Sequence, residues 1–158
     1  MRLLLLIVCL LGALDFTLMR VVAGSAVAET KIIKVLPTLL DHKGRNSLSP
    51  SLYERDAYQA ILRKNRDQVG GVRFDVQWKA RGVASKTVVL RLELRTRGHA
   101  DAKPEVIDTE VVPKRFGTKW SRVVVDAETY KRIGEVVAWR ATVVDGGQTL
   151  AQRTSFLW

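Results

Sequence analysis

The chain has 158 residues, of which 47% are hydrophobic and 27% charged, and its formal net charge is +10. This length suits one domain better than two, and the balance of apolar and charged residues excludes an intrinsically disordered chain. The positive charge favours anionic partners, although a basic surface without a dedicated partner has the same composition.

The N-terminal 28 residues have the pattern of an export signal. A basic residue precedes an apolar run, Leu3–Leu14, that is shorter than the roughly 20 residues of a membrane-spanning helix. Ala26 and Ala28 then form an A-x-A cleavage site. We therefore expect a signal peptide over residues 1–28. The alternative is an uncleaved membrane anchor over the same segment, which its internal acidic residue would make costly in lipid.

Cysteine usage narrows the expected compartment. The single cysteine, Cys9, lies within the apolar run, so a mature domain over residues 29–158 would contain none. Small secreted eukaryotic domains often depend on disulfides. The sequence therefore predicts a bacterial periplasmic or extracellular protein with a core that needs no cross-links.

The first elements of the mature chain are a strand and a helix. Residues 31–40 read as a strand in which Pro37 marks a bend or a sheet edge, and residues 50–65 read as the one clear helix. Two N-terminal caps fit the helix: Ser49 before Pro50, or a capping box of Ser51 with Glu54.

The helix has one apolar stripe and two interpretations. Tyr53, Ala57 and Ile61 repeat at helical spacing, and Leu62 joins Tyr58. A sandwich fold does not require this helix, so it is either a lid over one open side or a docking face. The candidate docking residues are Tyr53, Arg55 and Tyr58, together with Trp120 further along the chain.

After Gly71, hydrophobic residues recur at every second position instead of every third or fourth. Alternation predicts strands with one dry and one wet face, a short helical turn over residues 126–134, and a final hairpin around Gly146 and Gly147. The expected strands cover residues 72–80, 88–97, 105–112, 119–125, 135–144 and a last run from residue 148.

About seven such strands with no alternating helices predict a mainly β protein, an antiparallel two-sheet sandwich with one helical insertion. A simple hairpin of residues 72–80 with 88–97 is the rival arrangement, because it would place Arg73 opposite Glu93 and Asp75 opposite Arg91. We favour the sandwich, in which these two strands belong to different sheets and their bulky inner rows pack across the core.

The segments "FDVQW", "VLRLELRTRG" and "TYKRIGEVVAWRATVVDGG" resemble the strand order of fibronectin type III and related immunoglobulin-like domains. The resemblance implies a Trp at the end of the second strand, here Trp78, and an aromatic corner before the penultimate strand, at Tyr130 or Trp139. It implies an architecture and no particular function.

The sequence contains few residues that could bind a metal or act in catalysis. His42 and His99 have no second His or Cys at ligand spacing, so we expect no metal, no cofactor and no catalytic residue, and we expect the protein not to be an enzyme. Ser49 and Ser51 lie near His42 in sequence, but capping explains them.

Aromatic and basic residues supply the remaining candidates. Trp78 and Trp139 fall on apolar strand faces, whereas Trp120 and Trp158 are candidates for exposed contacts. On the polar side of the strand at 88–97, a stripe of under-neutralised arginines is the expected site for an anionic partner; it consists of Arg91, Arg95 and Arg97.

These observations leave two functions from different classes. The first is an exported non-catalytic module that binds another envelope macromolecule or has a structural role. The second is an electrostatic binder of anionic polymer or lipid headgroups, with nucleic acid less favoured in an exported protein. An enzyme ranks third.

Overall fold

The computed structural model describes residues 29–97 and 103–158, and its elements follow the predicted order. Residues 1–28, for which the sequence predicts a signal peptide, and His99 lie outside the described residues. The elements are β1 (Glu29–Asp41), α1 (Leu52–Lys64), a 3-10 turn (Arg66–Gln68), β2 (Val69–Arg81), β3 (Val88–Thr96), β4 (Glu105–Val111), β5 (Lys119–Val125), α2 (Ala127–Ile133), β6 (Val136–Asp145) and β7 (Gln148–Thr154).

The strands form two antiparallel sheets. One has the order β1-β2-β5 and the other the order β4-β3-β6-β7. The ladders of β2 run to β1 and β5, whereas those of β3 run to β4 and β6. The prediction that these two strands belong to different sheets is confirmed, and the hairpin rival is wrong.

The inner rows of both sheets meet in one hydrophobic core. Phe74, Val76, Leu90 and Leu92 are fully buried, as their alternation predicts. Trp78 is also fully buried, and its indole Nε1 donates to Ser121 Oγ at 2.9 Å, so burial leaves no polar atom of this side chain unpaired.

Trp139 was expected in the same core but is only half-buried. Its ring packs edge-on against Phe74, with centroids 6.5 Å apart, at the margin where the two sheets separate beside α1. The alternation of β6 assigns Trp139 to the inner face correctly, but it does not show that the core ends there.

Two glycines allow three strands to approach closely at the start of β2. A Cβ at Gly70 would lie 2.7 Å from the carbonyl oxygen of Asp41, and one at Gly71 would lie 2.6 Å from that of Val125. Any side chain here would push apart the backbones of β1, β2 and β5.

Of the two predicted caps, Ser51 is the N-cap of α1, but the capping box is not closed, because the Ser51 N–H donates to Ser49 Oγ at 3.2 Å. The Ser51 side chain accepts a hydrogen bond from Glu54 N at 3.5 Å, and Pro50 lies outside the helix. Only part of the predicted apolar stripe faces the domain, because Leu62 is fully buried whereas Tyr53 and Ile61 are exposed. The other buried residue of the helix is Gln59, which does not belong to the stripe.

Gln59 explains this difference because it completes the edge of β1. Its amide nitrogen donates to the carbonyls of Leu39 at 2.9 Å and Asn46 at 3.0 Å, and its amide oxygen accepts from Leu39 N at 2.9 Å. The side chain thus occupies the backbone groups that an edge strand leaves unpaired.

Candidate functional site

The predicted arginine stripe lies on the outer face of the four-stranded sheet, where β4 supplies an acidic partner. Arg91 lies opposite Asp108 in the β3–β4 register and forms a two-pronged ion pair with it, with two N···O distances of 2.8 Å. Hydrogen bonding to the guanidinium lowers the pKa of Asp108. Arg97, just beyond β3, pairs with Glu135 at 2.9 Å.

Arg95 and Arg140 both lie over the ring of Trp158. Their guanidinium carbons are 4.8 Å and 4.7 Å from the ring centroid, within the range of cation–π contacts. Arg140 also pairs with Glu93, and this hydrogen bonding lowers the pKa of Glu93. Arg91, Arg97 and Arg140 are therefore paired with carboxylates. Arg95 contacts the Trp158 ring, but it has no ion pair among the described residues and its buried Nε has no hydrogen-bond partner.

The outer face of this sheet consequently has no net charge. Residues directly paired across strands share a face, so the ladders identify its members. The basic members are Arg91, Arg95 and Arg140, and the acidic members are Glu93, Asp108 and Glu110. We call it the neutral face. The expectation of an under-neutralised stripe is corrected here, since it considered β3 without its neighbours.

The outer face of the three-stranded sheet is strongly basic instead. The residues of β2 that alternate with its buried row point outward, and the ladders place residues of β1 and β5 beside them. The basic members are Lys31, Lys34, Arg73, Lys79, Arg81 and Arg122, and the acidic members are Glu29 and Asp75. This surface, which we call the basic face, has a net charge of +4.

Only part of this charge is neutralised internally. Asp75 lies between Arg73 at 2.9 Å and Arg122 at 3.4 Å, and Glu29 pairs with Lys79. The remaining three cations have no ion-pair partner among residues 29–97 and 103–158; they are Lys31, Lys34 and Arg81.

Trp120 lies on the basic face and is 48% exposed, as expected for a candidate contact residue. It is directly opposite Gln77, whose amide donates to Thr118 Oγ1 at 3.3 Å. Leu36 and Val124 are similarly exposed on the same face. This surface thus combines cations, one exposed indole ring and the amide of Gln77.

The three docking candidates on α1 do not share one surface. Tyr53 points to solvent and is 83% exposed. Arg55 pairs with Asp56, its sequence neighbour, at 2.9 Å. The Tyr58 hydroxyl donates to Asp41 Oδ2 at 2.8 Å, so this side chain holds the helix to β1.

Asp41 is a structural junction that sequence reasoning missed. Its carboxylate accepts hydrogen bonds from Tyr58, from the backbone N–H groups of Lys43 and Arg45, and from the Arg45 guanidinium. Burial raises the pKa of Asp41, but these hydrogen bonds outweigh it and bring the pKa to about 2. The sequence signal for this junction is an acidic residue directly after the predicted strand at residues 31–40 and shortly before Gly44.

The described residues show no grouping typical of a metal site. Within residues 29–97 and 103–158, no three His, Cys, Asp or Glu side chains are grouped as a metal site would require. His42 Nε2 lies 2.7 Å from the Asp67 carbonyl, and Ser51 caps α1. Neither helix of the described residues is long and apolar enough to cross a membrane.

Comparison with known proteins adds no relative. The chain matches no protein-family model, no curated protein and no solved structure.

Proposed function

We propose that the protein is an exported, non-catalytic β-sandwich module that binds an anionic polymer of the cell envelope through the basic face. The observation that carries this proposal is the charge asymmetry of the two sheets, +4 on the basic face and zero on the neutral face. A positive electrostatic potential on one side of a small domain attracts a polyanion and orients it towards that side.

The dimensions of the basic face suit an extended ligand. From Arg73 to Arg81 the outward row of β2 covers eight residue steps, or about 26 Å at ~3.3 Å per residue. Cations are distributed along this length on both β1 and β2. A chain with repeated negative charges can contact several of them at once, whereas a single small anion cannot.

Trp120 favours a polymer that contains sugar rings. Its exposed indole offers an apolar surface between Gln77 and Arg122, which supply hydrogen-bonding groups at its margins. An amphipathic ring of this kind stabilises interfaces that are partly apolar and partly wet. The proposed ligand is therefore an acidic polysaccharide rather than a polyphosphate.

The sequence supports export and the compartment in which the protein would act. The N-terminal signal pattern supports export, and the cysteine-free domain supports the bacterial periplasm or cell exterior. The placement of β2 and β3 in different sheets supports the fibronectin-type resemblance. That resemblance adds no function, because such sandwiches serve many.

The experiment compares two triple variants that remove equal charge from opposite faces. The test variant is K31Q/K34Q/R81Q, on the basic face, and the matched control is R91Q/R95Q/R97Q, on and beside the neutral face. The probe is immobilised heparin, a sulfated polysaccharide, eluted with a salt gradient. We expect the test variant to elute at clearly lower salt and the control close to the unchanged protein.

Equal shifts for the two variants would mean that only net charge matters and would overturn the proposal. A larger shift for the control would restore the arginine stripe as the site. Trp120→Ala should weaken retention on heparin more than on polyacrylate, which has charges but no rings. Tighter binding to anionic vesicles than to heparin would indicate lipid headgroups instead. Thermal melts check that each variant is folded.

A second candidate is a protein partner on α1, the other class that the sequence leaves open. The exposed side of the helix carries Leu52 and Tyr53, with Leu48 exposed just before it. Binding of this kind would resist salt. Replacing Leu52 and Tyr53 with Ser would then abolish recovery of an envelope partner without changing retention on heparin.

A further inference from the structure

A cleft opens between the two sheets beside α1. It has a volume of about 260 Å³ and lies between β1 near Leu39, the start of β6 near Val136 and the C-terminal half of α1. The space is smaller than the roughly 300 to 1,000 Å³ of pockets for drug-sized ligands, so it suits a smaller molecule.

The inner part of the cleft is apolar. Trp139 lines it and packs edge-on against Phe74, which is itself fully buried. Leu39 and Val136 are only partly buried and pack at the margin of the core. The core is therefore incompletely covered at this point, and an apolar group placed here would remove further hydrophobic surface from water.

The mouth of the cleft has an excess of positive charge. Glu135 is shared by Arg66 at 2.6 Å and by Arg97 at 2.9 Å. Arg63, one turn along α1 from Gln59, also lines the mouth and has no ion-pair partner among the described residues. The Gln59 amide faces the same space, but its groups are engaged by the backbone.

We propose that this cleft binds a small amphipathic carboxylate, with its apolar body against Trp139 and Val136 and its carboxylate paired with Arg63. The apolar interior and the unpaired cation at the mouth together define this class of ligand. A neutral apolar molecule would leave Arg63 unpaired, and a small polar anion would leave the Trp139 side uncovered. The inference is independent of polymer binding, because no charged residue of the basic face lines the cleft.

The test uses octanoate as the probe and octanamide as its uncharged analogue, both titrated by calorimetry. We expect saturable octanoate binding that R63Q weakens by about tenfold, the size expected for one lost charge-assisted hydrogen bond. Octanamide affinity should not change in R63Q. Lys64→Gln, the exposed neighbour on the same helix, is the matched control and should bind octanoate as the unchanged protein does.

Tryptophan fluorescence locates the ligand. Octanoate should change the emission, and Trp139→Phe should remove most of that change while Trp120→Phe should keep it. The proposal is overturned if octanoate does not saturate, if R63Q and K64Q behave alike, or if Trp139→Phe retains the signal. The K31Q/K34Q/R81Q variant should bind octanoate normally, so failure of one proposal is distinguishable from failure of the other.

Discussion

At the scale of single residues, Asp41 joins the end of β1 to the turn at residues 41–45 and to α1. Its side chain is nearly buried, and both oxygens accept hydrogen bonds. The chain places four donors around it, which come from Lys43, Arg45 and Tyr58. The charged form is therefore much better stabilised in the folded protein than in the unfolded chain.

The pH dependence of this contribution follows from the lowered pKa. The folded pKa of about 2 lies below the ordinary value of 3.8, so the stabilisation is fully present above pH 4 and is lost as pH falls towards 2. We expect about 1 to 2 kcal/mol, the lower end allowing for solvent screening. The free energies of unfolding of the unchanged protein and of Asp41→Asn, measured by urea melts, should therefore converge by this amount between pH 5 and pH 2.

The same measurement can contradict this explanation. If the difference in unfolding free energy between Asp41→Asn and the unchanged protein stays constant from pH 5 to pH 2, the hydrogen bonds to Asp41 do not stabilise its charged form.

At the scale of elements, α1 shows where sequence patterns mislead. The predicted stripe contains Tyr53, Ala57 and Ile61 together with Leu62, yet of these four only Leu62 is buried, and the helix buries the polar Gln59 beside it. Periodicity reports hydrophobicity, but the edge of β1 requires hydrogen-bonding groups, which only the Gln59 side provides. The sequence therefore predicts the position of the helix and offers Ser51 as one of two candidate N-caps. It does not show which side of the helix faces β1.

Gln59→Leu tests this explanation directly. The substitution leaves Leu39 N–H and two carbonyl groups without their partner in a largely buried place, at a cost of about 1 to 3 kcal/mol. We expect lower stability in denaturant and faster amide exchange throughout α1 and at Leu39. Lys64→Gln, on the exposed side, should change neither.

The opposite result is also informative. Gln59→Leu adds apolar surface beside Leu62, so a helix held by hydrophobic packing alone would become more stable. Unchanged or slower exchange at Leu39 in this variant would show that the amide does not complete the edge of β1.

At the scale of the whole molecule, the sequence predicts the layers but not the surfaces. Alternation in β2 and β3 is enough to establish two one-sided strands that need a common core. It cannot establish which strands are neighbours, and charge on a face depends on neighbours. Asp108 neutralises Arg91 only because β4 pairs with β3, and Lys31 lies beside Lys79 only because β1 pairs with β2.

The single core that joins the two sheets makes unfolding cooperative. Leu92 is fully buried in the four-stranded sheet and belongs to the same cluster as Phe74 and Val76 of the other sheet. Leu92→Ala should cost about 2 to 5 kcal/mol, the usual range for a buried leucine. Because the cluster is shared, Leu92→Ala should accelerate amide exchange to the same extent in β2 and β3. Near- and far-UV circular dichroism should report a single unfolding transition for this variant. Val106→Ala, on the exposed side of β4, is the control and should cost less than about 1 kcal/mol. Acceleration confined to β3 and its neighbours, or two separate transitions, would show that the sheets are stabilised independently.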